Sequence, residues 1–323
     1  SMEGREDKSG FIQAFAGHDR YVVDYLVEEV LRSQPENIRS FLLQTSILER
    51  LSGPLCDAVT LQSDSNKMLE FLERSNLFLI PLDDKREWYR YHHLFADVLL
   101  AHSKAERSDQ LKELHLRASN WFEINEQLSD AIHHALAAKE NERSAMLIER
   151  AWPEMEAKFQ DLTWLGMVSE IPEELFKNRP VLNVDYAWAL LTIGDLEGGE
   201  KRLQEVEHIL KTSENSEKFE NISKNNMIIA DQEQFNFLPS TISMGRAYIA
   251  QAKGDINETI KYAQQALDIL PEENHLRQGV VSSLLSLALW ASGDLEKAYE
   301  ILERAAVNMR KGGNLLFLSL IHI

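Results

Sequence analysis

A single cysteine, Cys56, is all the thiol chemistry this sequence holds, so no intrachain disulfide can form, and a reducing, cytoplasmic setting is expected. Cys56 sits in Pro54-Leu55-Cys56-Asp57-Ala58-Val59 and reads as a small core residue rather than a reactive thiol. No apolar run approaches the ~18 residues of a membrane span, and the polar start, Ser1 to Asp7, has no apolar signal core. Basic residues are scarce. There are 34 Lys and Arg against 52 Asp and Glu, a net charge of -18, which disfavours a phosphate backbone as partner. Known catalytic signatures are absent too: no Gly-x-x-x-x-Gly-Lys-Ser/Thr loop, no His-Glu-x-x-His, no Gly-x-Ser-x-Gly and no paired cysteines. The adjacent His133 and His134 would point about 100° apart on a helix, which suits surface or interface histidines better than a metal pair. No catalytic residue and no metal site is expected, and the chain reads as a binding protein rather than an enzyme.

What is present is helical periodicity. Val23, Leu26, Val27 and Val30 fall on one helical face, and Ile38, Phe41, Leu42 and Thr45 on the next, after Pro35. Ser52-Gly53-Pro54 opens a short third helix, and Asp64 or Ser65 a fourth with Met68, Leu69 and Leu72 inward. The period then breaks. Leu77 to Leu82 is a short apolar run, Asp83-Asp84-Lys85 a turn, and Glu87 to Tyr91 an aromatic stretch, together a β-hairpin, with a helix from about His93. Helices, a hairpin and a helix outline a winged-helix-like module over 19–102. Acidic residues outnumber basic ones within it, so it lacks the basic surface of a DNA reader.

From 103 to 323 the pattern is of helices joined by short turns, and three turns share a dipeptide: Gly194-Asp195, Gly254-Asp255 and Gly293-Asp294. Small residues keep register with them. Ala187, Ala247 and Ser286 lie before the glycines, while Gly199, Thr259 and Ala298, then Val206, Ala266 and Ala305, lie after them at matching distances. This is the pattern of a tetratricopeptide-type repeat, whose period is about 34 residues. Pro271 stands where a helix stop belongs. The polar stretch 212–226 is expected to be a solvated loop that lengthens one repeat, with a ligand lid as the sharper alternative. The fold class is therefore mainly α: a winged-helix-like module followed by an α-α superhelix of tetratricopeptide-type repeats. In that geometry the first helix of each pair lines a concave wall. A groove of Trp188, Tyr248, Gln251, Ser283 and Trp290 is then expected, suited to a small ligand or a peptide.

Several stretches resemble one family in order and spacing. They are Tyr21 to Leu31, Phe41 to Leu48, Leu51 to Val59, Leu77 to Asp84, and Tyr89-Arg90-Tyr91-His92-His93-Leu94-Phe95-Ala96-Asp97-Val98-Leu99, with Ala131-Ile132-His133-His134-Ala135-Leu136-Ala137-Ala138 in the repeats. The family is that of the MalT-like, ATP-dependent LuxR-family transcriptional activators, part of the STAND class of signalling ATPases. The resemblance implies an upstream ATPase domain that binds ATP or ADP, a winged helix, a repeat that senses an inducer, and a C-terminal helix-turn-helix that binds DNA. This chain would hold the middle two, with residues 1–18 the tail of the ATPase module or a tag remnant. It would carry no cofactor itself, while the whole protein would be a slow signalling ATPase. Partners implied are a small-molecule inducer or regulatory protein on the repeats, the ATPase domain, DNA only through the missing helix-turn-helix, no membrane, and an oligomer on activation. In such proteins a winged-helix histidine, in a Met-His-Asp motif, contacts the β-phosphate of ADP. Tyr91-His92-His93 falls at that position without the Met or the Asp, which makes His92 and His93 the nucleotide-sensing candidates. The rival reading is a stand-alone tetratricopeptide scaffold that binds protein segments.

Overall fold

In a computed structural model, residues 30–216 and 227–313 are described, and the side chains of 212–216 are not. The expected first helix, from Tyr21, and residues 1–18 lie outside them. Two compact units emerge from the contacts, one through Ser144 and one from Ala145.

In the first unit, helix α1 (Glu36–Thr45) buries Ile38, Phe41, Leu42, Leu43 and Thr45, the stripe its spacing predicts. Helix α2 (Gly53–Thr60) is capped by Ser52, whose hydroxyl accepts the Leu55 N–H, and ends at Leu61 in a left-handed turn. Cys56 is fully buried there, and burial pushes its thiol well above the ordinary range, so it is an inert core residue. Helix α3 (Ser65–Arg74) leads into the hairpin. Strands β1 (Leu79–Pro81) and β2 (Tyr89–Tyr91) pair antiparallel, Leu79 opposite Tyr91. The Asp83 carboxylate holds the turn by accepting the N–H groups of Glu87 and Trp88. Tyr89 also bridges to Leu51, each N–H donating to the other's carbonyl at 2.8 Å. Helix α4 (His93–Glu106) follows directly.

Two further helices, α5 (Ser108–Ile124) and α6 (Leu128–Ala137), pack against each other, and α5 packs on α2. Arg117 donates to the Val59 carbonyl at 3.1 Å. Arg50 lies 4.6 Å from the Trp88 ring centroid and donates to Gln127 and Asp130. These bonds carry the first compact unit beyond residue 102, where the sequence places the end of the winged-helix-like module.

The second unit begins within helix α7 (Asn141–Ala157) and continues through α8 (Asp161–Val168) and a 3-10 turn (Glu173–Asn178). Three helical hairpins follow. Helices α9 (Pro180–Thr192) and α10 (Leu196–Ser216) form the first. After the short α11 (Gln232–Asn236), α12 (Leu238–Ala252) pairs with α13 (Ile256–Ile269), and α14 (His275–Ser292) with α15 (Leu295–Lys311). The shared dipeptide explains all three turns. Gly194, Gly254 and Gly293 take φ of 87°, 76° and 92°, where a side chain would be strained. Asp195, Asp255 and Asp294 then accept the N–H of Gly198, Glu258 and Lys297, capping the second helix. The register residues meet between paired helices: Ala187, Ala247, Val206, Ala266 and Ala305 are fully buried, and Ser286 donates to the Ala298 carbonyl at 2.8 Å. A Cβ on Gly199 would come within 2.6 Å of a Leu191 methyl, so the small residue is needed there.

Of the stretch expected as a loop over 212–226, residues 212–216 are helical. Helix α10 continues to Ser216, because each added residue closes one more intrahelical hydrogen bond without needing a buried face. Residues 217–226 lie outside the described residues.

Candidate functional site

The junction of hairpin and helix in the first unit is set by backbone bonds. The His92 N–H donates to the Phe78 carbonyl at 2.7 Å, one step beyond the Leu79–Tyr91 pair, and the His92 carbonyl accepts from Ala96 in the first turn of α4. His92 is thus the residue that precedes the helix, and no side chain caps that end. The N–H groups of a helix's first turn have no intrahelical acceptor, so this terminus presents donors and a positive dipole end. His92 is half-buried beside Phe78, ring centroids 6.4 Å apart, and His93 is exposed, its ring 4.3 Å from that of His92. Phe78 holds φ at 54°, an uncommon value for an aromatic residue, and packs on Phe95 of α4. The two histidines expected from the sequence therefore stand together at one uncapped helix start, in a geometry that can receive an anion.

The expected groove residues of the second unit divide. Trp188 on α9 and Tyr248 on α12 meet edge to face, with ring centroids 6.1 Å apart. Gln251 lies one turn from Tyr248, and both its amide oxygen and the Trp188 indole N–H are buried without a hydrogen-bond partner. Ser283 is buried, and its hydroxyl donates to the Gly279 carbonyl on its own helix. Trp290 is 66% exposed on α14, and no ring contact joins it to the other two among the described residues.

Sequence reasoning missed a buried polar cluster beside Trp188. Glu149 on α7 is fully buried, accepts the Ala230 N–H at 3.3 Å and lies 3.6 Å from the Arg179 guanidinium. Burial pushes its carboxyl up to about 7, against the pull of Arg179. Asp185 on α9 is buried, and burial holds it well above the ordinary aspartate range, reinforced by the carboxylates of Glu149 and Glu156. Glu156 is raised as well, chiefly by burial. The available signal was one charged residue inside the apolar stretch Val181 to Leu191. A second miss is in the first unit. His133 is exposed, but His134 is buried, stacks on Phe122 and shares a 2.9 Å Nδ1–Nδ1 hydrogen bond with His115. Among the described residues, no group of three or more His, Cys, Asp or Glu could hold a metal, and no helix is long and apolar enough to cross a membrane.

Comparison with known proteins follows the same outline. Residues 27–111 match the MalT winged helix domain. The HTH-type transcriptional regulator MalT of Cronobacter sakazakii is 30% identical over 293 residues, covering 90% of this chain and 30% of the relative. MalT of Klebsiella pneumoniae is 30% identical over 299 residues, covering 92% and 31%. The serine/threonine-protein kinase PknK of Mycobacterium tuberculosis is 34% identical over 191 residues, covering 58% and 17%. The chain thus spans a third or less of the length of these curated relatives. A solved Signal Transduction ATPase with Numerous Domains protein with a tetratricopeptide repeat sensor, from Pyrococcus horikoshii, covers 92% of the chain and 54% of its own at 15% identity. Its TM-score of 0.40 is too low to bear on the fold. Residues 27–111 are thus a MalT-type winged helix domain, and the chain is similar to MalT regulators along nine-tenths of its own length.

Proposed function

We propose that this chain is the regulatory, inducer-sensing segment of a MalT-like, ATP-dependent transcriptional activator, coupling a ligand on its helical repeats to the nucleotide state of an ATPase domain. The observation that carries the reading is the uncapped start of α4 with His92 in front of it. An imidazole and the free N–H groups of a helix start form a donor set that fits a phosphate oxygen of ADP. Of the two histidines, His92 takes this role, because its backbone is tied to Phe78 and its ring is half-buried, so its position is fixed, whereas His93 is exposed. The relatives favour a regulatory segment over an effector. Related sequence occurs in proteins named as transcriptional regulators and in one named as a kinase, so it accompanies different outputs.

In this scheme the repeats act by binding their ligand more tightly in one state than in the other, since only differential affinity can shift such an equilibrium. The Trp188–Tyr248 pair is the assigned ligand wall. ADP affinity of the ATPase-containing protein tests the winged-helix half. His92→Ala should weaken ADP about tenfold or more, and His93→Ala by less than about threefold, for loss of one charge-assisted hydrogen bond. Equal, small effects of both would remove His92 from the site. A thermal-shift metabolite screen on this chain tests the repeat half. A ligand whose stabilisation is lost in Tyr248→Ala supports it, and binding unchanged in that variant places the ligand elsewhere.

A further inference from the structure

The buried cluster of the second unit is short of positive charge. Around Asp185 stand Glu149 and Glu156 of α7 and Asp231, the residue that caps α11, and the cations acting on these carboxylates are Arg179 and Arg277. Arg179 faces Glu149 at 3.6 Å, and Arg277, at the start of α14, donates to the Thr241 hydroxyl of α12 at 3.1 Å. Asp185 and Glu156 are left without an ion-pair partner of their own. A carboxylate buried without a paired charge carries a large desolvation cost, which proteins seldom retain without use.

Independent atoms at the same junction also lack partners. The Trp188 indole N–H lies one helical turn from Asp185 on the same side of α9. The Ser240 hydroxyl is buried on α12 next to the Thr241 that Arg277 binds. The oxygens of Asp185 (Oδ2) and Glu149 (Oε2) accept no hydrogen bond. Buried polar atoms are satisfied in nine cases of ten or more, so this many orphans around one junction mark a place where something polar docks. Four carboxyl groups, those of Asp185, Glu149, Glu156 and Asp231, face two guanidinium groups there. What docks there must donate hydrogen bonds and carry positive charge, and the Trp188 ring offers a face to a cation. No group of carboxylates among the described residues has the arrangement of a metal site, which leaves an organic cation.

We propose that the junction of α7, α9, α12 and α14 is a binding site for a small molecule bearing an ammonium or guanidinium group, held by Asp185 and Glu156 with Trp188 beside them. The proposal takes as given that this unit senses a ligand, and it assigns that ligand its charge. Burial favours the protonated carboxyl of Asp185, and pairing with a cation favours the ionised one, so a proton leaves as the ligand enters.

Thermal shift and titration calorimetry of the whole chain test this with putrescine and agmatine as cationic probes, 1,4-butanediol as the neutral one and succinate as the anionic one. Either cation should raise Tm, the diol and succinate should not, and the heat should depend on buffer ionisation as proton release requires. Asp185→Asn keeps the shape and removes the charge. It should fold with a Tm at or above that of the wild type yet bind the cation at least tenfold more weakly, and Glu156→Gln should weaken it in the same direction. No response to either cation at about 5 mM, a diol that matches putrescine, or full binding by Asp185→Asn overturns the proposal. The sensing role fails separately. A neutral or anionic ligand that needs Tyr248 would keep the sensor and remove its cationic specificity. Asp185-dependent amine binding with no effect on nucleotide state in the longer protein would do the reverse.

Discussion

Single residues of this chain carry opposite pH dependences in the two units. In the second unit, Glu149 is raised from 4.5 to about 7. Between those values the unfolded chain has lost its proton while the folded chain still holds it. Stability therefore falls as pH rises through that window, with a limiting slope of about 1.4 kcal/mol per pH unit for one group, and levels off above it. Asp185 shifts in the same direction, so Asp185→Asn should flatten the fall and be the more stable protein at pH 8. Urea midpoints of the second unit at pH 5 and pH 8 measure this, and a midpoint lower than wild type at pH 8 would contradict it. In the first unit the sign is reversed. Burial lowers His134 to about 3 and His115 to about 4. The unfolded histidines take protons below 6.5, and the folded ones refuse them until these lower values. Stability is then fully present above about 6.5 and declines as pH falls towards 4, again by up to about 1.4 kcal/mol per unit for His134 alone. His134→Phe should remove most of that decline, read by near-ultraviolet dichroism of the aromatic contacts it makes with Phe122.

At the scale of elements, the repeated dipeptide makes a sharp prediction. Gly254→Ala forces a side chain into φ of 76°, and Asp255→Ala removes the carboxylate that accepts the Glu258 N–H. Each should cost about 1 kcal/mol of the second unit's stability, seen as a lower urea midpoint at constant slope. The two tryptophans of the expected groove should differ more. Trp188 is 7% exposed and packs on Tyr248, so Trp188→Ala should cost about 3 kcal/mol or more, whereas Trp290→Ala, at a site 66% exposed, should change stability by less than about 0.5 kcal/mol. These elements also show what the sequence could disclose. The hairpin, the α2 cap at Ser52 and the three Gly-Asp turns are local devices, each complete within a few residues, and their spacing exposes them. The pair Trp188–Tyr248 was legible because the repeat register places both on the first helices of their hairpins. The acidic junction was not legible. Its members run from Glu149 to Arg277 and meet only through tertiary packing, and each alone resembles the many solvated carboxylates of an acidic chain. Trp290, which the same register places on the groove, is exposed, because the register fixes a helix face without saying whether anything covers it.

At the scale of the whole chain, charge decides what its two units can touch. The net charge is -18, with 52 acidic residues against 34 basic ones, and the winged-helix-like module shares in the acidic excess. Affinity for DNA rests largely on neutralising phosphates with clustered Lys and Arg, each contact releasing counterions. Several of the chain's arginines are already paired: Arg50 with Asp130, Arg39 with Glu106, Arg86 with Glu73, Arg246 with Glu207. A winged helix so composed offers a duplex little clustered positive charge. The expected outcome is that this chain alone leaves the mobility of promoter-length DNA unchanged at physiological salt, and that lowering the salt about tenfold yields no complex either, since repulsion lengthens its reach as the Debye length grows. A retarded band that strengthens steeply as salt falls would show that a basic face exists on this chain after all, and would return its first unit to the DNA-reading role that its outline first suggests.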